Sequence, residues 1–566
     1  MTRKDLKKQN IFQLLIVAAN IIILCYISSI FFFRIDLTQE KRFTISQESK
    51  QILKSLPDEV LIKVYLEGEL PSGFKQLNKS IREMLDEFII YAGKNIQYQF
   101  IDPYDNPEPK VVNNMVKDLY NKGLQPTNIK LKDSKGGYSE KLVIPGAIVS
   151  YNGVELSVNL LSNNAGLSGE ENLNNSIQGL EYTLINTIHN ISNTKIEKIA
   201  FLKGHGELNQ FSVGDITREL ANYYQVDEGQ INGKINSLDP YKCVIIAQPE
   251  KAFSEEDKFV IDQYMMKGGK LLWFVSPVKV DEDSIAQGRT LAYIKQLNID
   301  DQLFKYGIRM NPVLIQDIQC AIIPVNTSLT GTQSKFAPAP WLYLPLLSGS
   351  QIHPVSRNLN LVKAAYCSFI DTLLSNGMLK KTVLLNSSKF TRVVQVPALI
   401  SLSEVKQQHQ REEFDKSNLP VGVLVEGRFP SVFKNRMLSG LRIIGQYNYS
   451  DLSVPTKMLV VADGSIIRNE VRITQQGTLI TPLGLDRYTK QTFGNKDFIL
   501  NAVNYMTDEM GLMKLRSRQI ILRLLDKELI RDAKVKWQLI NVLLPVILII
   551  LSGIGFNVFR RKIYAT

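Results

Sequence analysis

Four cysteines and four histidines in 566 residues leave little material for a metal centre or a disulfide framework. One thiol, Cys25, lies inside a long apolar run, and among the other three Cys320 with Cys367 is a candidate bridge. No Cys-x-x-Cys and no other metal-type spacing is present, which excludes dithiol redox chemistry and zinc ribbons. The chain also lacks the phosphate loop G-x-x-x-x-G-K-[ST], so it cannot hydrolyse ATP by that route. A basic–aromatic cluster is missing too. The formal charge of +12 includes Arg3, Lys4, Lys7, Lys8, Arg560, Arg561 and Lys562 at the two ends. The other basic residues are spread among 55 acidic ones, which reads as a solvated surface and not as a nucleic-acid footprint.

Charge is absent altogether from two long runs. Ile11 to Phe33, "IFQLLIVAANIIILCYISSIFFF", exceeds the about 20 residues needed to cross a bilayer core. It is too long for the apolar region of a signal peptide and ends without a small-residue cleavage site, so an uncleaved anchor is expected. Trp537 to Phe559, "WQLINVLLPVILIILSGIGFNVF", reads as a second span, with Pro545 tolerable in a membrane helix. Basic flanks favour the cytoplasm. They lie outside both runs, so both termini (1–10 and 560–566) are expected inside and residues 34–536 outside.

The body between them is long enough for two to four domains. "DLTQEKRFTISQESKQIL" places Thr44 and Gln47 as a capping box at a helix start. "LIKVYL", a helix ending at Gly93 and "IQYQFID" make a βαβ unit of thioredoxin-like appearance. "LVIPGAIVSYNGVELSVNL" reads as a hairpin turning at Asn152-Gly153. "NNAGLSGEENLNN" reads as a loop before a long helix containing His189. These parts give a first α/β domain over 34–190.

A second α/β domain is expected over 191–510, with or without a division near residue 330. Strands at "KIEKIAFLKG", "YKCVIIAQP" and "KLLWFVSP" alternate with helices at "SVGDITRELANYY", capped by Ser212 and Asp215, and "SEEDKFVIDQYMMKGG". Single helices between strands indicate a parallel, doubly wound sheet. "SLTGTQSKFAPAP" reads as a proline-bearing loop. Residues 511–536 read as a charged amphipathic helix, with Arg516, Arg518 and Arg523 available to lipid headgroups or to solvent.

The first strand–turn–helix, "FLKGHGELNQF", stands where such a sheet offers a ligand crevice. Gly204, His205, Gly206 and Glu207 are therefore the candidate ligand or partner loop. A purely structural turn is the competing reading. His205-x-Glu207 matches the start of a zinc-deaminase motif, but the Pro-Cys-x-x-Cys that completes it is absent. Cys243 opens a strand, whereas an elbow nucleophile follows one. No catalytic residue, metal or cofactor is assigned. On the turn reading, replacing His205 or Glu207 by Ala should leave stability nearly intact.

In the first apolar run, Ala18, Cys25 and Ser29 share one helix face, and small residues let a partner helix approach. Asn20 faces the other way. It either bonds its own backbone or meets a polar partner.

"DLTQEKRFTISQESKQIL", "FLKGHGE", "GGKLLWFVSPV" and "LRSRQIILRLLD", in that order between two spans, resemble the GldG family. These are gliding-motility-associated, substrate-binding-like auxiliary subunits of an ABC transporter in Bacteroidota. The resemblance implies a two-pass inner-membrane protein with a large periplasmic body, working with a separate permease and a separate cytoplasmic ATPase. It also implies a middle part like the amidotransferase-like fold that intraflagellar-transport proteins carry without catalytic residues. A membrane scaffold for a motility or secretion machine, and less readily an anchored hydrolase, are the alternatives.

Overall fold

The computed structural model describes residues 3–30, 44–132, 138–164, 167–193, 196–326, 335–373, 377–407, 409–436, 441–443, 448–475, 477–517 and 527–564. The chain divides into two compact units, Met1–Arg518 and Gln519–Thr566. It is a mixed α/β protein.

An N-terminal helix, α1 (Arg3–Ile30), carries the apolar stretch Ile11–Tyr26. The last residues of the predicted first span, 31–33, lie outside the described residues. After α2 (Gln47–Lys54) come β1 (Val60–Val64), α3 (Ser72–Ala92), β2 (Ile96–Phe100) and α4 (Pro109–Asn121). The hairpin β3 (Thr127–Lys132) with β4 (Tyr138–Val143) precedes β5 (Gly146–Tyr151), β6 (Val154–Asn159) and α5 (Gly169–Ser192).

The first sheet has the order β2-β1-β5-β6, with β1 and β2 parallel and the rest antiparallel. In β1, Val60, Ile62 and Val64 point one way, as a period of two requires. They meet Leu77, Ile81, Leu85 and Phe88, which stack on one face of α3 at spacings of three and four. Leu184, Ile185 and Ile188 of α5 close the same core. Asn152 and Gly153 both have positive φ, 46° and 80°, as the tight turn between β5 and β6 demands.

The second sheet is built on β7 (Lys198–Lys203), α6 (Gly214–Leu220), β8 (Gln225–Gln230), β9 (Cys243–Ala247), α7 (Glu255–Met266) and β10 (Lys270–Phe274). A fifth parallel strand, Thr456–Val461, joins β10 after a long excursion. The order is β8-β7-β9-β10-(Thr456–Val461), all parallel. Antiparallel strands Pro420–Gly427, Leu379–Asn386, Phe336–Gly349 and Cys320–Asn326 extend it on the far side.

Alternation splits this sheet between two cores. Phe201, Ile245, Leu272 and Leu459 face α6 and the helix Asn495–Thr507. Leu202, Val244, Trp273 and Val460 face α7. Both faces are covered, which is why the central strands read as unbroken apolar runs.

Several expectations are corrected. The cap of α2 is Ser46, whose Oγ accepts from Ser49 N at 3.0 Å, and not Thr44. Ser212 and Asp215 do not cap α6. Asp215 instead accepts from Leu483 N at 2.7 Å and pairs with Lys496 at 2.7 Å. The segment read as a loop before α5 already contains the helix start, with a Ser168–Glu171 capping box. Phe336 to Pro340, read as loop, belong to a strand whose Pro338 faces Pro324 across the ladder. Residues 327–334 lie outside the described residues. Cys320 and Cys367 are both free thiols.

The 511–536 segment is not one amphipathic helix. Leu512–Ser517 forms a 3-10 turn, residues 518–526 with Arg518 lie outside the described residues, as does Arg523, and a helix resumes over Lys527–Tyr564. Arg516 is folded onto the body, donating to Pro354 O and Asn501 Oδ1, both at 3.0 Å, and sitting over the Tyr182 ring. In the C-terminal unit, Ala533–Phe559 is long and apolar enough to cross a membrane, with Pro545 inside the helix.

Candidate functional site

Strand order fixes where a site belongs. Numbered along the chain, the parallel strands run 2-1-3-4-5, so the direction of winding switches between β7 and β9. Ligands of doubly wound sheets bind at such a switch, outside the carboxyl ends of the strands. The loops leaving β7 and β9 are Gly204 onward and Gln248 onward.

His205 fills that place. Its residue is 5 % exposed, and its ring stacks on Phe253 with centroids 3.7 Å apart. Nδ1 lies 3.1 Å from Glu207 Oε1, and Nε2 lies 3.1 Å from Asp257 Oδ2. The Glu207 side chain is itself buried, and its second oxygen accepts from His205 N at 2.8 Å. His205 O accepts from Glu250 N and Lys251 N at 2.9 and 2.8 Å, and Leu208 N donates to Ala247 O. The two loops are thereby stitched together around one imidazole.

The glycines make this path possible. Gly204 and Gly206 have φ of +129° and +75°, a region that side chains rarely enter. A Cβ on Gly206 would also stand 3.1 Å from Glu250 Cβ.

Electrostatics sets the protonation state. Burial alone pulls the His205 pKa down, but hydrogen bonds to Asp257 and Glu207 outweigh it and raise the pKa to about 9. Asp257 is held below the usual carboxylate range, first by the His205 hydrogen bond. At neutral pH both ring nitrogens are donors, and an imidazolium has no lone pair for a base, a nucleophile or a metal. The arrangement binds its own chain.

Asp257 and Phe253 escaped the sequence reading. Asp257 sits in the first turn of α7 behind the cap Ser254, where "SEEDKF" reads as ordinary helix-start charge. Only the adjacency of β7 and β9 brings it to His205, 52 positions away. Cys243 is buried at the start of β9, and burial pushes its thiol well up, away from reactivity.

The helix candidates are placed separately. Asn20 Nδ2 donates to Ile16 O at 3.0 Å, so its amide is satisfied within α1. Of the two readings of Asn20, the backbone bond is the one observed. Ala18 and Cys25 are exposed on α1, which also carries Ser29.

Comparison with known proteins follows the same division. Residues 39–150 match a domain of unknown function. An uncharacterized protein of Borreliella burgdorferi (strain ATCC 35210 / DSM 4680 / CIP 102532 / B31) is 24% identical over 435 residues, covering 75% of this chain and 78% of that one. Among solved structures, the mmIFT52 N-terminal domain aligns over 55% of this chain and 97% of its own, at 13% identity and a TM-score of 0.30. Residues 197–502, which contain the His205 loop and the whole parallel sheet, match the model of an ABC-type uncharacterized transport system. That match spans more than half of the chain, and the chain belongs to this family of auxiliary components of ABC-type transport systems.

Proposed function

We propose that the chain is a non-catalytic accessory subunit of an ABC transporter, anchored in the inner membrane by both apolar helices and working with a separate permease and ATPase. The family match over 197–502 carries this reading. The geometry supports the non-catalytic part of this reading. The switch-point crevice, where a doubly wound enzyme would hold its substrate, is occupied by His205 and its two carboxylates.

Basic residues outside both apolar helices support cytoplasmic termini and an extracytoplasmic body. The βαβ unit continued by an antiparallel hairpin supports a thioredoxin-like first part, and the 2-1-3-4-5 order supports an amidotransferase-like middle part. The four segments shared with gliding-motility-associated subunits favour that type of complex.

Purification of the full-length protein from its native membrane in mild detergent, with mass spectrometry of what accompanies it, tests the assignment. A multispan permease and a nucleotide-binding ATPase in fixed ratio are expected. Recovery of neither, even after chemical cross-linking in the membrane, would overturn it.

A further inference from the structure

Beside the filled crevice lies an open one. A pocket of 260 Å³ adjoins the carboxyl end of β10. Pro277 and Met310 are its buried floor, while Ile294 and Phe304 stand exposed at its mouth. Pro312 and three charged residues, Lys295, Asp300 and Arg309, complete the lining, with Asp300 and Arg309 exposed like the mouth residues.

Lys295 is already committed. Its side chain is buried and its Nζ lies 2.5 Å from Glu250 Oε1. Asp300 and Arg309 differ, since among the described residues neither side chain has a hydrogen bond or ion pair, nor do they pair with each other, although Lys258 lies near enough to attract the Asp300 carboxylate. Asp371 stands opposite Arg309 in the strand register, but its Oδ2 accepts from Asn311 Nδ2 at 2.9 Å. Two opposite charges thus border one apolar-walled cavity without meeting.

We infer that this pocket binds a small zwitterion with an apolar body, its carboxylate on Arg309 and its ammonium on Asp300. Charge-assisted hydrogen bonds of both signs would then fix the ligand's orientation, and the apolar wall would take its side chain. The volume is below the roughly 300–1,000 Å³ of drug-sized sites, so the occupant is small. Asp300 stands at the surface, and its partial burial and then neighbouring Asp301 raise its pKa while Lys258 offsets part of that rise, so a bound ammonium relieves what remains. Free apolar α-amino acids and short peptides both offer this chemistry. The site belongs to the chain alone and does not depend on the transporter reading.

Calorimetric titration of the full-length protein in mild detergent tests it, with L-leucine, L-phenylalanine and glycyl-L-phenylalanine as probes. N-acetyl-L-phenylalanine lacks the ammonium and L-phenylalaninamide lacks the carboxylate. Each should bind at least tenfold more weakly than phenylalanine, as for loss of one charged hydrogen bond. Arg309→Gln should abolish the preference for a free carboxylate, and Asp300→Asn the preference for a free ammonium. The tighter of amino acid and dipeptide identifies the source. Absence of heat with all three zwitterions, or equal binding of the neutralised analogues by the wild type, overturns the inference, whatever the variants do.

Discussion

An imidazolium held between Glu207 and Asp257 ties the loop after β7 to the helix after β9. The expectation that His205→Ala would be nearly neutral is therefore revised. Removing the ring leaves two carboxylates facing each other without a cation and empties a stack on Phe253. Breaking a buried pair by removing one partner costs about 3 kcal/mol or more, and that loss should appear as a lowered melting temperature. The pH dependence has a definite sign. His205 has a raised pKa, so its contribution is complete below the unfolded value of 6.5 and gone once pH passes about 9. Asp257 has a lowered pKa, so its contribution is present above 3.8 and fades as pH falls through the folded value. The melting difference between wild type and His205→Gln should be largest near pH 6 and shrink markedly by pH 9.5. A difference that stays constant between those values would contradict the charged triad.

Segments are where the sequence was most and least readable. β1, β7, β9 and β10 announce themselves, because strands buried on both faces or on one are apolar runs or alternations. β8, "QVDEGQ", gives no such signal. It is the outer strand of the sheet, and Asp227 and Glu228 are tolerated there because one edge and much of the strand meet water. "KMLVVADGSII" reads as an apolar strand that could continue the sheet, but the place of Thr456–Val461 as the fifth parallel strand was hidden, since nothing local records which strand returns after so long an excursion. The site shared this fate. The glycines and His205 were legible as a turn at the right place, while Asp257 was a partner only the fold supplies. The start of α2 shows a finer error, since Thr44 reads as the cap in the sequence and the cap is Ser46, two residues on. Ser46 won because Glu181 of α5 accepts from both its N–H and the Ser49 hydroxyl at 2.7 Å. Ser46→Ala should cost about 1 kcal/mol in chemical denaturation, the usual value of a lost N-cap. An unchanged denaturation midpoint would mean that Glu181 alone holds the helix end.

For the molecule as a whole, the side of the membrane on which the α/β body lies decides which partner it can touch. Basic residues precede α1 and follow the C-terminal apolar helix, and such flanks stay with the cytoplasm. If both helices cross, the chain must leave and return, and everything between them faces outward. An ATPase partner then cannot touch the body directly, because its nucleotide is cytoplasmic. Coupling would run through the permease or through the two helices. Single cysteines in a background without Cys25, Cys243, Cys320 and Cys367 test this arrangement. Ile473→Cys lies on a hairpin where the native side chain is 90% exposed, so accessibility there depends on sidedness and not on burial. In intact spheroplasts it should react with a membrane-impermeant maleimide, whereas Asp5→Cys and Tyr564→Cys should react only after the membrane is permeabilised. Labelling of Asp5→Cys together with Ile473→Cys, with Tyr564→Cys still protected, would leave the N-terminal helix outside the bilayer and make the C-terminal helix the sole anchor. Protection of Ile473→Cys would put the body, the His205 triad and the open pocket on the same side as the ATPase, and direct contact between them would become the leading arrangement.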